Sequence, residues 1–127
     1  MKALWVTALA VAGVIVTVAA GMALRNATLS THQPVPAGSQ IELVVDARMK
    51  GAEGGQTLAE LVQAQVLLCR LEVSSDVVGD IEPIATGRYR AVLTPSMDKS
   101  NRRQFRGCLE DWVLDQLRLD VVRLAPA

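Results

Sequence analysis

The sequence predicts an α+β protein: an apolar amino-terminal helix, then elements in the order strand, helix, strand, strand, helix, strand. Three observations carry this. Ala3 to Leu24 contains no charge, the stretches around 41–46 and 88–94 alternate apolar with polar or charged residues, and apolar residues after Thr57 and around Phe105 recur at spacings of three and four. A chain of 127 residues has room for one folded domain. Its thirteen basic and thirteen acidic side chains cancel, and half of the residues are apolar although only 3% are aromatic. All thirteen acids lie from Glu42 onward, so the neutral total averages two unlike segments. A strongly basic nucleic-acid binder, a disordered acidic tail and a multidomain enzyme are thereby excluded.

The uncharged run from Ala3 to Leu24 is 22 residues long and is closed by Lys2 and Arg25. At about 1.5 Å per residue it reaches ~33 Å, enough for a hydrocarbon core of about 30 Å. It predicts a transmembrane anchor over 1–25 that meets membrane lipid through residues 3–24. Trp5 lies near one end, where an indole favours the interface, and the two threonines of the run can bond back to helix carbonyls. A cleaved secretory signal is the alternative, with Val18-Ala19-Ala20 or Gly21-Met22-Ala23 as small-residue cleavage sequences; a signal's apolar region is normally shorter. The short amino terminus favours a cytoplasmic start, so either reading leaves the rest extracytoplasmic. Asn26-Ala27-Thr28 matches the glycosylation sequon, a three-letter pattern common by chance.

Residues 26–40 (NATLSTHQPVPAGSQ) show no helical or strand period and read as a flexible linker. His32, the sole histidine, falls here without the rigid surroundings that catalysis or metal binding needs. The extracytoplasmic domain is then 41–127. Ile41, Leu43 and Val45 predict a half-buried strand over about 40–48, and the glycine-rich 50–56 ends it without phosphate-loop spacing. Thr57-Leu-Ala-Glu60 is a capping box, with the Thr57 hydroxyl accepting from Glu60 N–H while the Glu60 carboxylate reaches back. The helix it starts carries Leu58, Leu61, Val62, Val66 and Cys69 near one face and runs to about Arg70.

Val77 to Ala85 reads as a strand broken by Gly79 and Pro83, hence an edge or a bulge. Thr86-Gly87 turns the chain into a strand over 88–94, completing a hairpin. Ser96 or Asp98 caps a helix over about 98–116 with the stripe Phe105, Cys108, Leu109, Trp112, Val113 and Leu117. Arg102, Arg103, Arg106, Glu110, Asp111 and Asp115 form its wet face, and Gly107 suggests close approach of another backbone. The last strand spans 118–124 and stops before Pro126. Element order of this kind resembles a ferredoxin-like βαββαβ sandwich, two helices on a four-stranded antiparallel sheet. The block Arg-Gln-Phe-Arg-Gly-Cys-Leu-Glu-Asp-Trp at 103–112, after Gly-Arg-Tyr-Arg at 87–90, resembles small single-span membrane-anchored proteins of high-GC actinobacteria. Ten Arg against three Lys fits such a genome, and the resemblance implies an anchor and no activity.

Cys69 and Cys108 fall on the inner faces of helices that lie side by side in such a fold, which predicts a structural disulfide in an oxidising compartment, with two buried free thiols as the alternative. No CxxC spacing marks a redox pair, and no further Cys or His supplies a metal site. Glu110, Asp111 and Asp115, with Asp80 and Glu82 elsewhere, read as a solvated surface rather than a hydrolytic pair. Arg88, Arg90 and Arg118 are expected on the open side of the sheet, where they can solubilise it or bind anionic groups. Val92, Val122 and Leu124 on the same side give it apolar character suited to a protein partner. The expected role is a membrane-anchored binding or assembly module for another membrane or envelope protein. A wall-glycan or anionic-lipid module is the alternative. No enzyme, cofactor, metal, nucleic-acid partner or small-molecule substrate is expected.

Overall fold

The computed structural model describes residues 2–29, 33–51, 55–112 and 116–127, which form two compact units split at His32/Gln33. In the first unit, α1 (Lys2–Leu29) is one uninterrupted helix. Thr7 Oγ1 donates to the carbonyls of Ala3 and Leu4, and Thr17 Oγ1 to those of Gly13 and Val14, so neither hydroxyl is left bare along the apolar surface. Val6–Arg25 is long and apolar enough to cross a bilayer.

The second unit is α+β. It contains β1 (Ile41–Met49), α2 (Leu58–Cys69) with a 3-10 turn over Arg70–Val73, β2 (Asp76–Ala85), β3 (Arg88–Thr94), α3 (Lys99–Asp111) and β4 (Leu117–Pro126). The four strands form one antiparallel sheet in the order β2-β3-β1-β4. Period-two alternation aims Ile41, Leu43, Val45 and Ala47 of β1, Tyr89, Ala91 and Leu93 of β3, and Leu117 and Leu119 of β4 at the helices. There they meet Leu61, Val62 and Val66 of α2 and Phe105 and Leu109 of α3 in a single buried core.

Both α2 and α3 begin where the sequence supplies a cap. Thr57 Oγ1 accepts from Glu60 N at 3.2 Å and Glu60 Oε2 accepts from Thr57 N at 2.8 Å, completing the capping box. For α3 the cap is Asp98, not Ser96: its Oδ1 accepts from Asn101 N at 2.7 Å and its Oδ2 from Gln33 N at 2.9 Å. The two helices are joined by Cys69 and Cys108, whose sulfurs stand 2.01 Å apart with Cα atoms 5.7 Å apart. Beside them Gln65 is fully buried and its Nε2 donates to the carbonyls of Cys108 and Trp112 at 3.2 Å each, tying α2 to the end of α3, where Cys108 O also accepts from Trp112 N.

Several boundaries differ from the sequence reading. The helix of 98–116 is shorter, because Trp112 turns to an extended conformation and Leu117 already pairs with Met49 in β4. Trp112 is half exposed and Leu117 joins the core from a strand, while Val113 and Asp115 lie outside the described residues. Pro126 does not stop β4 but pairs with Ile41 at its end, on an edge where a missing N–H breaks no ladder. The 26–40 linker is not uniform. Residues 26–29 continue α1, and the 33–40 segment is pinned through Gln33 to Asp98, through Ser39 Oγ accepting from Ser96 N, and through Ser39 O accepting from Thr94 Oγ1. His32 lies outside the described residues. Gly107 needs no close backbone: a Cβ there would meet only Asp111 Oδ2, at an ordinary 3.6 Å.

Candidate functional site

The sheet turns one face to α2 and α3, and the other collects the polar half of every alternating strand. Glu42, Val44, Asp46 and Arg48 of β1 are flanked there by Arg88, Arg90 and Val92 of β3 and by Arg118, Asp120 and Arg123 of β4. Four of the expected residues, Arg88, Arg90, Val92 and Arg118, therefore share this face. Val122 reaches the surface differently. Val45 pairs with Val121 and Val44 with Arg123, so Val122 is the extra residue of a β-bulge and is half exposed. The bulge also reverses the side taken by the residues after it. Leu124, expected on the open face, packs against the core instead, and Arg123 takes the open side.

The arginines are not a bare basic row. Arg88 Nε and Nη2 donate to Asp46 Oδ1 and Oδ2 at 2.6 and 2.8 Å, a two-pronged cross-strand pair. Arg90 Nε donates to Glu42 Oε2 at 2.8 Å, while Arg123 Nε approaches Oε1 of the same carboxylate at 3.5 Å from the opposite strand. Arg48 Nη2 donates to Asp120 Oδ2 at 3.1 Å. Asp46 and Asp120 are direct cross-strand partners, a repulsive placement that these arginines neutralise. The hydrogen bond from Arg88 holds the Asp46 carboxyl below the ordinary carboxylate range, and Asp46 in turn raises Arg88. Arg118 has no ion pair among the described residues.

Between these pairs the face is apolar. Val44 lies between Arg90 and Arg123 and is only 9% exposed although α2 and α3 pack on the opposite face, which fits arginine stems lying over it. Val78 of β2 stands opposite Val92 and is 40% exposed. Sequence reasoning missed Glu42, Asp46, Arg48, Asp120 and Arg123 as site residues. Alternation alone could have found the first four, whereas Arg123 required knowledge of the bulge.

Glu110 is half-buried and its Oε1 accepts from Val121 N at 3.1 Å, satisfying backbone at the bulge. Asp111, Asp80 and Glu82 are exposed, and no metal-holding group of His, Cys, Asp and Glu occurs among the described residues. The open sheet face combines apolar patches with paired charges. Comparison with known proteins leaves it to be read on its own terms: no family model, no curated protein and no solved structure matches the chain.

Proposed function

We propose that this chain is a single-span membrane protein whose extracytoplasmic head binds another membrane or envelope protein through the sheet face opposite α2 and α3. The observation that carries the reading is that four of the five arginines on that face are paired. Arg88, Arg90, Arg48 and Arg123 are already engaged by carboxylates, and Val78, Val92 and Val122 lie among them. A surface built to hold phosphates or acidic glycan keeps its cations free. Apolar patches bordered by satisfied charges suit a protein, where charge fixes register and apolar area supplies affinity. The apolar length of α1 supports an anchor, and the Cys69–Cys108 pair supports an oxidising compartment outside the cytoplasm. Within the head, strand order β2-β3-β1-β4 and the two crossover helices on one face support a ferredoxin-like βαββαβ sandwich. This arrangement leaves one sheet face without a helix of the head. Binding, not catalysis, is the role assigned.

Site-specific photocrosslinking in native membranes tests this. A photoreactive residue at Val78 or Val122 of the full chain should give the same discrete protein adduct, and one at Gln63, on the exposed side of α2, should not. No adduct from the sheet face, or equal adducts from both faces, would refute the reading. If instead Arg88→Ala/Arg90→Ala abolished salt-sensitive retention on wall glycan or anionic vesicles without affecting crosslinking, the alternative binding class would replace it.

A further inference from the structure

On α3, Lys99, Arg102, Arg103 and Arg106 follow one another at steps of three, one and three, which places them along one side of the helix. No Asp or Glu occurs between Asp98 and Glu110. The two acids at the ends are occupied, Asp98 as the cap of the helix and Glu110 on Val121 N. None of the four cations has an ion pair among the described residues, in contrast to Arg48, Arg88, Arg90 and Arg123 of the sheet. They converge: all four, together with Leu124 of β4, line one surface depression of about 380 Å³. The chain also enters the head at this end of α3, because Gln33 N bonds Asp98 Oδ2, and Gln33 is only nine residues beyond Leu24. Even fully extended, that stretch spans at most about 32 Å.

From this we infer that Lys99, Arg102, Arg103 and Arg106 form a docking site for the headgroups of anionic membrane lipids, with Leu124 supplying the apolar floor. The site is distinct from the sheet face and depends on α1 being an anchor. Four unpaired cations match the phosphates of an anionic leaflet, and the short tether makes their encounter intramolecular. Docking would fix the head's orientation and leave the sheet face free for a protein.

The full chain should be reconstituted into nanodiscs of phosphatidylcholine, and into discs with a third of that lipid exchanged for phosphatidylglycerol, each with a trace of headgroup spin-labelled lipid. In the anionic discs, amide signals of residues 99–106 should broaden more than in the neutral discs, and those of residues 76–85 should not. With each cation contributing about fivefold near an anionic surface, the variant Arg102→Gln/Arg103→Gln/Arg106→Gln should shift the docking equilibrium by roughly a hundredfold, and added salt should act in the same direction. Equal broadening in both lipids, or an unchanged variant with a native amide spectrum, would overturn the proposal. So would perturbation of these amides by soluble polyphosphate in neutral discs without any response to anionic discs. A chain that fails to incorporate into either disc would overturn the anchor, and lipid docking with it.

Discussion

Reducing Cys69–Cys108 removes a covalent link without removing an atom from the core, which makes it the cleanest perturbation of the head. The cysteines are separated by 39 positions. Cross-linking a loop of about 40 residues withdraws ~13 cal/mol/K from the unfolded chain, or about 4 kcal/mol at 25 °C in the chain-entropy model. Because the bond joins the last residue of α2 to the inner side of α3, reduction should lower global stability rather than fray one end. With a urea m value of roughly 1.5 kcal/mol per molar, the unfolding midpoint should fall by about 2.5 M. The assay is urea denaturation of the full chain in mild detergent, followed by circular dichroism, with and without reductant present throughout. A midpoint displacement below about 0.7 M, corresponding to ~1 kcal/mol, would refute the reasoning. It would mean that the buried contacts of Leu61, Val66 and Phe105 hold the helices without the link.

Three further outcomes follow from the packing. Asp98→Ala should cost about 1–2 kcal/mol and accelerate amide exchange at both Asn101 and Gln33, since one carboxylate serves both N–H groups; unchanged exchange at Gln33 would contradict that shared role. Phe105→Ala, at a fully buried position facing the sheet, should cost about 3–5 kcal/mol in the same urea assay, and a loss under ~1.5 kcal/mol would place the centre of the core elsewhere. Asp46 has its carboxyl held below the ordinary value by Arg88, so its contribution is present above the unfolded-state pKa near 3.8 and lost as pH falls through the lower folded value. Asp46→Asn should therefore flatten the acid limb of stability below about pH 4 while leaving the slope near neutrality unchanged, and identical acid limbs would contradict the pairing.

The elements legible in the sequence were those governed by local chemistry. Thr57 and Glu60 announced a helix start because the capping box is made by residues three apart, and Thr86-Gly87 announced a turn because Gly87 takes a φ of 69°. Ile41, Leu43 and Val45 declared their inner side by alternation. The end of α3 was not legible: Trp112 and Leu117 keep helical spacing, yet the first turns extended and the second is captured by pairing with Met49, 68 residues earlier. The bulge at Val121–Arg123 was hidden for the same reason, because it exists only relative to Val44 and Val45 of β1. The candidate surface was legible in its residues but not in its charge state. Arg88 and Arg90 read as solubilising or anion-binding charges on the open face, but their partners Asp46 and Glu42, 42 and 48 positions away, are set only by the strand pairing.

The central claim, an anchored head in an oxidising compartment, is tested most directly by alkylating the protein in cells without reduction and weighing the intact chain recovered from membranes. The account predicts a species that retains α1, with both cysteines unmodified and therefore joined. A species lacking the first twenty or so residues, or one carrying two alkylated thiols, would contradict it.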